Sequence, residues 1–379
     1  MPTPPTTSPR SAYVHVPFCR HRCAYCNFTV VAGRDELAQQ YLAAVAREWS
    51  RLEQPQTVDT LYFGGGTPTQ LTLPQLEQLL ELAARWHPLA AGGEWTVEAN
   101  PEDVTGPLVD LLLAAGVTRV SLGSQSLSAA KLVALDRQHA PGAVASASRL
   151  IRTAGLQLAT DLIFAAPGET LADWCDDLAA TLALSPDHVS TYGLTFERGT
   201  QFWSRLTRGQ MSEADEELQR EMFAAAIETL AAAGFEHYEV SNFARPGRRS
   251  RHNEAYWAGA EYFAVGPGAA RYVAGVRETN HRSTTTYLRR VLAGQSPVAQ
   301  REQLAPDESA RERLIFGLRR LEGVERSWFR ARTGFEMDEL AGPAIARFVE
   351  LGLLVDDGAA VRLTRDGLFV SDAIWPDLL

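Results

Sequence analysis

The chain has 379 residues, 45% of them hydrophobic, with a formal net charge of −10 and a pI near 5.4. That length exceeds what one core usually supports, so two domains are expected. The acidic balance, with Lys131 as the single lysine, excludes the clustered basic footprint of a nucleic-acid binder, and no apolar run reaches the ~20 residues of a bilayer span.

Met1 to Arg10 reads as a disordered Pro/Thr tail and lacks the apolar stretch of a secretory signal. A strand over 12–16 then leads into Tyr13-Val-His-Val-Pro-Phe-Cys19-Arg-His-Arg-Cys23-Ala-Tyr-Cys26-Asn-Phe28, where three of the four cysteines stand at Cys-x3-Cys-x2-Cys spacing. Three thiolates on one loop can bind three irons of a cubane 4Fe–4S cluster, which full protein ligation would hold with four. The open iron can be chelated by the amino and carboxylate groups of S-adenosylmethionine, and electron transfer then releases a 5′-deoxyadenosyl radical, chemistry that belongs to the cofactor. The competing reading is a Cys3His zinc site completed by His15 or His21, although structural zinc usually draws on two separated ligand pairs. Disulfides fit worse, because three clustered cysteines cannot pair evenly and Cys175 lies far off in a predicted helix. With no export signal and no disulfide pattern, a reducing cytoplasm is the expected compartment.

Beyond the cysteines the chain alternates. Leu37, Tyr41, Val45 and Trp49 recur every four residues and mark one face of a helix over 35–52. A buried strand over 58–63 runs into Gly64-Gly65-Gly66-Thr67-Pro68, and a helix over 74–86 follows. The strand over 95–99 carries Glu98 and precedes a helix over 107–115. Next come a strand over 118–122 ending in Gly123-Ser124-Gln125, helices over 128–135 and 142–154, a strand over 157–164, a helix to about Leu184 and a strand over 188–194. Six strands alternating with helices predict a parallel sheet with right-handed crossovers. Polar or glycine-rich clusters follow the strands, as they do at the active face of an α/β barrel. The expected fold is α/β, an open or partial (β/α)6 TIM-type barrel over 11–240.

A helix over 213–233 and a strand over 235–240 lead into a connecting αβ segment, 241–305, expected to line the barrel mouth. It contains the polar-aromatic run Arg251-His252-Asn253-Glu-Ala-Tyr256-Trp257 and the tight turn Gly266-Pro267-Gly268-Ala269. From 306 to 379, helices over 307–321, 327–332 and 338–351 precede a hairpin of 353–355 and 361–363 turned by Asp357-Gly358, a winged-helix-like pattern. Acidic residues outnumber basic ones there, so packing against the barrel is expected rather than DNA contact.

Tyr13-x-His15-x-Pro17-Phe18-Cys19, the triple-cysteine spacing, Gly64 to Gly66 and Glu312…Gly317-Leu318-Arg319 carry a resemblance that covers nearly the whole chain. It resembles the radical S-adenosylmethionine superfamily, in the branch of oxygen-independent coproporphyrinogen III oxidases and the HemW haem chaperones. The resemblance implies Cys19, Cys23 and Cys26 as cluster ligands. It implies Tyr13, Gly65, Gly66 and Glu98 near the methionine part of S-adenosylmethionine, Gln125, Arg137 and Asp161 on its sugar and carboxylate groups, and Tyr25 and Thr67 also at the cofactor. The residue types suit those tasks: glycine permits close backbone approach, the arginine fork matches a carboxylate, and an aspartate in a half-buried strand is rare without a partner. Taken alone, strand-end glycines also serve plain turns, and Glu98 also reads as a solvated carboxylate.

One departure decides the subfamily. The decarboxylating oxidases carry a further cysteine two residues after the third, where this chain has Phe28, and only eighteen residues precede Cys19. Both features match the HemW subfamily, whose members bind haem and hand it to acceptor proteins. The resemblance therefore implies a haem chaperone in porphyrin metabolism rather than a coproporphyrinogen-consuming enzyme. Its cofactors would be a 4Fe–4S cluster, S-adenosylmethionine and haem, and its partners an electron donor and a haem-acceptor protein. The alternatives are the oxidase itself and a radical methyltransferase-like tailoring enzyme. His252 is the candidate haem ligand because the aromatics beside it can stack on a macrocycle, although a structural histidine reads equally well. Glu239, Ser241 and Asn242 are candidates for lining a substrate cleft instead.

Overall fold

The computed structural model describes residues 8–379, so residues 1–7 of the expected tail lie outside the described residues. Arg10, assigned to that tail, is instead fixed in place: its guanidinium donates to the Asp59 carboxylate at 2.7 and 3.0 Å.

Six strands, Ser11–Val16, Val58–Gly65, Leu89–Ala99, Arg119–Gln125, Gln157–Phe164 and His188–Gly193, lie side by side in chain order and all parallel. Three further strands extend this sheet. Phe263–Val265 adds in parallel outside Ser11–Val16, while Asn242–Ala244 turns antiparallel against His188–Gly193 and pairs with Glu236–Glu239 at the far edge. The nine strands form an open barrel with Phe263–Val265 and Glu236–Glu239 as its edges. The expected boundary after residue 240 is corrected accordingly, because strands from the supposed connector complete the barrel on both sides. A separate antiparallel sheet of Ala270–Val273, Val276–Asn280 and Val298–Glu302, together with the helix Thr284–Leu292, fills the rest of that segment.

Local chemistry places the helices. Leu37, Tyr41, Val45 and Trp49 all turn inward, none more than 7% exposed, on the α-helix Ala38–Trp49 and the 3-10 turn before it. The helix Leu171–Ala183 starts at a reciprocal box in which Thr170 Oγ1 accepts from Asp173 N–H at 3.2 Å and the Asp173 carboxylate accepts from Thr170 N–H at 2.9 Å. Such a cap contributes about 1 kcal/mol. On that helix, Asp177 and nearby Glu169 enclose Lys131, whose ammonium donates to them at 3.0 and 2.5 Å over the Trp174 ring. Lys131 is 5% exposed.

A second buried carboxylate ties the later chain to the barrel. Glu48 accepts from Gly266 N–H (3.0 Å), Asn280 Nδ2 (2.7 Å) and Tyr287 Oη (2.6 Å). These bonds hold the Gly266-Pro267-Gly268 turn against the first strand. Gly266 has φ +104°, and a Cβ on it would stand 2.4 Å from the His15 carbonyl oxygen, so only glycine lets the two backbones approach this closely.

The C-terminal domain has its own core of Leu314, Leu318, Phe329, Met337, Ile345, Phe348 and Val361. Helices Pro306–Leu318, Arg326–Thr333 and Met337–Glu350 precede strands Leu354–Asp356 and Ala360–Leu363, with Val324–Glu325 as a third strand. Two short helices, Arg365–Phe369 and Ser371–Leu378, follow where none was expected. The domain joins the barrel edge through Arg319, which donates to buried Glu239 at 2.7 and 2.8 Å while its carbonyl accepts from Val240 N–H at 3.0 Å. Among the described residues no helix is long and apolar enough to cross a membrane.

Candidate functional site

The barrel interior is polar by period two. Tyr13 and His15, Arg119, Ser121 and Gly123, Asp161, and His188, Ser190 and Tyr192 point inward at every second position of their strands, and all of them line one cavity of about 980 Å³. Barrel cores are ordinarily filled by branched apolar side chains, so this lining marks space kept for ligands. The expectations above omit Arg119, Ser121, His188 and Ser190. Their signal is visible in sequence as every second residue of 119–123 and 188–192, masked by the apolar half that makes the strands read as simply buried.

The cysteine loop lies across the mouth of this cavity. Cys19, Cys23 and Cys26 are half-buried free thiols that line it together. Cys19 Sγ lies 3.7 Å from Thr67 Oγ1, and Arg137 Nη1 lies 3.6 Å from Cys23 Sγ. Burial pushes the Cys19 thiol up to about 12 and raises Cys26 as well. The far arm of the loop is gripped from outside: Val31 N–H donates to Pro17 O (2.8 Å), and Arg282 donates to Asn27 O (2.7 Å) and Thr29 Oγ1 (3.2 Å). His15 Nε2 faces the Thr29 carbonyl at 2.7 Å and must therefore carry the proton, leaving Nδ1 to accept from Tyr13 Oη at 3.1 Å.

Every residue expected at the cofactor, Tyr13, Tyr25, Gly65, Gly66, Thr67, Glu98, Gln125, Arg137 and Asp161, lines the same cavity. The glycines are sterically required. A Cβ on Gly66 would stand 2.6 Å from Phe18 O, one on Gly65 (φ +108°) 2.4 Å from the His15 ring, and one on Gly64 2.9 Å from the Glu98 carboxyl. Glu98 accepts from Tyr62 Oη (2.8 Å) and Gly65 N–H (3.1 Å), and burial pushes its carboxyl up to about 7. Arg137 is held by Asn100 Oδ1 (3.0 Å) and Gly123 O (2.7 Å), while its buried Nε has no partner. Asp161 rests against Ser121 and Ser190, its carboxyl raised by burial. Gln125 adopts φ +61°, a conformation rare outside glycine that marks functional sites.

The donor set fits an iron–sulfur cubane: three thiols line one space beside an arginine N–H without a partner. The zinc alternative loses His15, whose nitrogens are both engaged, while His21 has its Nε2 on Asp136 at 2.9 Å.

Two expectations are corrected. His252 is 1% exposed and outside the cavity lining, with Nδ1 bonded to Thr60 Oγ1 (2.9 Å), Nε2 to Tyr256 Oη (3.0 Å), and its ring stacked on Tyr62. Burial lowers its pKa to about 3. With both ring nitrogens bonded inside the protein, one as donor and one as acceptor, it stands as a structural histidine with no nitrogen open to a haem iron. Glu239 and Asn242 likewise form an internal node, Asn242 Nδ2 to Glu239 at 2.6 Å beside Arg319. Of the three proposed cleft residues only Ser241 reaches the cavity. Conversely Phe28, 67% exposed, stands on the cavity rim where a fourth cysteine would be. From the C-terminal domain, Asp372 also reaches the lining.

The profile of the Radical SAM superfamily matches residues 13–180, and that of the HemN C-terminal domain matches residues 304–370. A protein named Heme chaperone HemW from Lactococcus lactis is 34% identical over 98% of this chain and 97% of its own length. One of the same name from Mycobacterium tuberculosis is 37% identical over 98% and 95%. The mitochondrial radical S-adenosyl methionine domain-containing protein 1 of Bos taurus is 34% identical over 100% and 89%. Among solved structures, coproporphyrinogen III oxidase (HemN) from Escherichia coli superposes with a TM-score of 0.86 over 98% of this chain and 90% of that one, at 20% identity, a likeness of fold.

Proposed function

Because this chain belongs to the HemW family of radical S-adenosylmethionine proteins, we propose that it is a haem chaperone of a reducing compartment, binding haem and handing it to an acceptor protein. The observation that carries this reading is end-to-end likeness to proteins named haem chaperones, at 31–37% identity. Phe28 supports it, since an exposed ring stands where the oxidases carry a thiol.

In this reading Cys19, Cys23 and Cys26 hold a 4Fe–4S cluster. Gly65, Gly66 and Thr67 would hold S-adenosylmethionine, with Glu98 for its ammonium and Arg137 for its carboxylate. When bound, the pair supplies reductive radical chemistry. The chain's part is to orient and exclude: the glycines admit the ligand, Tyr13 and Tyr62 wall it, and Asp161 receives hydroxyl groups. Titrating the anaerobically reconstituted protein with haem, and assaying the same sample for conversion of coproporphyrinogen III, tests the reading. Stoichiometric haem uptake without turnover is expected; turnover without uptake overturns it.

Glu98 makes a pH-dependent prediction. Its folded pKa of about 7 lies above the ordinary carboxylate value, so the ligand-free folded state holds this proton more tightly than the unfolded chain. Glu98's contribution to stability is therefore full below ~4.5 and is lost as pH rises through about 7. Glu98→Gln should flatten thermal stability across that window. It should also weaken S-adenosylmethionine binding about tenfold or more by removing a charge-assisted hydrogen bond, measured by equilibrium dialysis.

A further inference from the structure

Four arginines line the main cavity, and three of them have a task there. Arg22 and Arg282 are exposed on its rim, where they donate to Cys26 O (3.3 and 3.4 Å) and Asn27 O (2.7 Å) and hold the cysteine loop. Arg137 stands between Cys23 and Gly123, among the cofactor residues. Arg119 is different. It is 2% exposed and is the first residue of the strand Arg119–Gln125, at the end away from the cysteine loop. Among the described residues its one side-chain hydrogen bond runs from Nη1 to Arg248 O at 3.0 Å. Asp161 feels its charge but is turned onto Ser121, at 3.4 Å, and Ser190, and makes no ion pair with it.

The Nε–H and Nη2–H edge of Arg119 is therefore unspent, and these two parallel donors are a pair that grips a carboxylate side-on. His188, the first residue of the strand His188–Gly193 and also 2% exposed, adds a third donor. Tyr238 Oη accepts from Ser250 N–H at 3.1 Å and lies 2.7 Å from His188 Nε2. The tyrosine proton has no other acceptor among the described residues, so Tyr238 donates to Nε2, and the proton of the neutral imidazole sits on Nδ1. Burial, with Arg119 nearby, lowers the His188 pKa well below its ordinary value and keeps the ring neutral. Its Nδ1 is buried without a partner, where buried donors are ordinarily bonded. Both side chains line the cavity beside Ser121, Ser190 and Ser241.

We propose that this floor of the barrel, below the residues assigned to S-adenosylmethionine, binds the carboxylate of a small organic acid between the Arg119 fork and His188. A carboxylate supplies what the floor lacks: a negative charge and two in-plane oxygens for three donors. Arg319 shows how a purely structural arginine of this chain behaves, since it spends two N–H groups on buried Glu239, at 2.7 and 2.8 Å. Arg119 has no such partner inside the protein. Its place at the start of the strands, with the cofactor residues at their other end, suits a small molecule held beneath the cofactor rather than a macrocycle at the mouth.

The test uses the anaerobically reconstituted full chain, saturated with S-adenosylmethionine, and follows binding of isotope-labelled acetate and of acetamide, its uncharged counterpart, by nuclear magnetic resonance line broadening. Wild type should bind acetate about tenfold more tightly than acetamide, as a charge-assisted, two-pronged contact requires. Arg119→Gln should weaken acetate by about tenfold, with cluster iron and S-adenosylmethionine affinity unchanged. Acetate that fails to bind wild type, or binds no better than acetamide, overturns the site, and so does an Arg119→Gln affinity within about twofold of wild type. Acetate binding that disappears once S-adenosylmethionine is saturating would belong to Arg137 and overturns it equally. The acetamide comparison uses unsubstituted protein, so it decides the matter where the variant fails to fold. The chaperone reading stands or falls separately, on haem uptake.

Discussion

Replacing Cys19, Cys23 and Cys26 together by alanine is expected to abolish iron uptake on anaerobic reconstitution, from about four irons per chain to none, and to leave the fold intact. The first half follows from the donor set: three thiols are the cavity's only soft ligands, and iron–sulfur clusters are held by thiolates. The second follows from what holds the loop. Val31 N–H on Pro17 O, Arg282 on Asn27 O and His15 on Thr29 O fix its path without any sulfur. The thiols are half-buried and form no disulfide, so each substitution should cost on the order of 1 kcal/mol, the ordinary effect of a point change. Iron analysis, the dithionite-induced electron paramagnetic signal and thermal unfolding read the two halves separately. Stoichiometric zinc with no paramagnetic signal in the wild type would remove the cluster assignment. Collapse of the triple variant's fold would show that the sulfurs, and not the surrounding backbone bonds, organise the loop.

Lys131→Met is expected to produce the largest loss of stability among single substitutions far from the cofactor cavity. It leaves Glu169 and Asp177 facing each other in the interior without their shared cation, and breaking a buried pair in this way costs about 3–5 kcal/mol. A fall in melting temperature on the order of 10 °C follows. The loss has a defined pH dependence. Burial raises the Glu169 carboxyl, with Lys131 pulling it down, so removing Lys131 raises it further. A folded pKa above the unfolded one means stability that is full below ~4.3 and lost as pH rises through the folded value. The gap between variant and wild type should therefore be narrow near pH 5 and wide near pH 8, measured by calorimetry. A gap that widens toward acid would show that Glu169 is not the group left exposed to the missing charge.

The six parallel strands are legible in sequence because each is an apolar run that stops at glycine or a polar cluster, and the cysteine spacing is legible because it is local. What escapes is what depends on distant pairing. Nothing in Phe263-Ala-Val265 says that it will lie beside Ala12 to Val14, some 250 residues away. Glu239 reads as a cleft residue until Arg319, eighty positions on, takes its carboxylate. The four-residue spacing of His252 and Tyr256 shows that they share a helix face. Whether that face meets solvent or Thr60 and Tyr62 is decided by the barrel, and the barrel buries it. The period-two polarity of 119–123 and 188–192 is the one signal that is local, strong and easily passed over, because it shares its strands with the apolar residues that define them.

The chain's single ε-amine is the one enclosed by Glu169, Asp177 and Trp174. Acylating dyes and amine-directed bifunctional cross-linkers will therefore find no open lysine side chain on the native protein. A lysine substituted anywhere on the surface becomes a unique side-chain handle. Native-state labelling of Lys131 itself would in turn report opening of the Leu171–Ala183 helix.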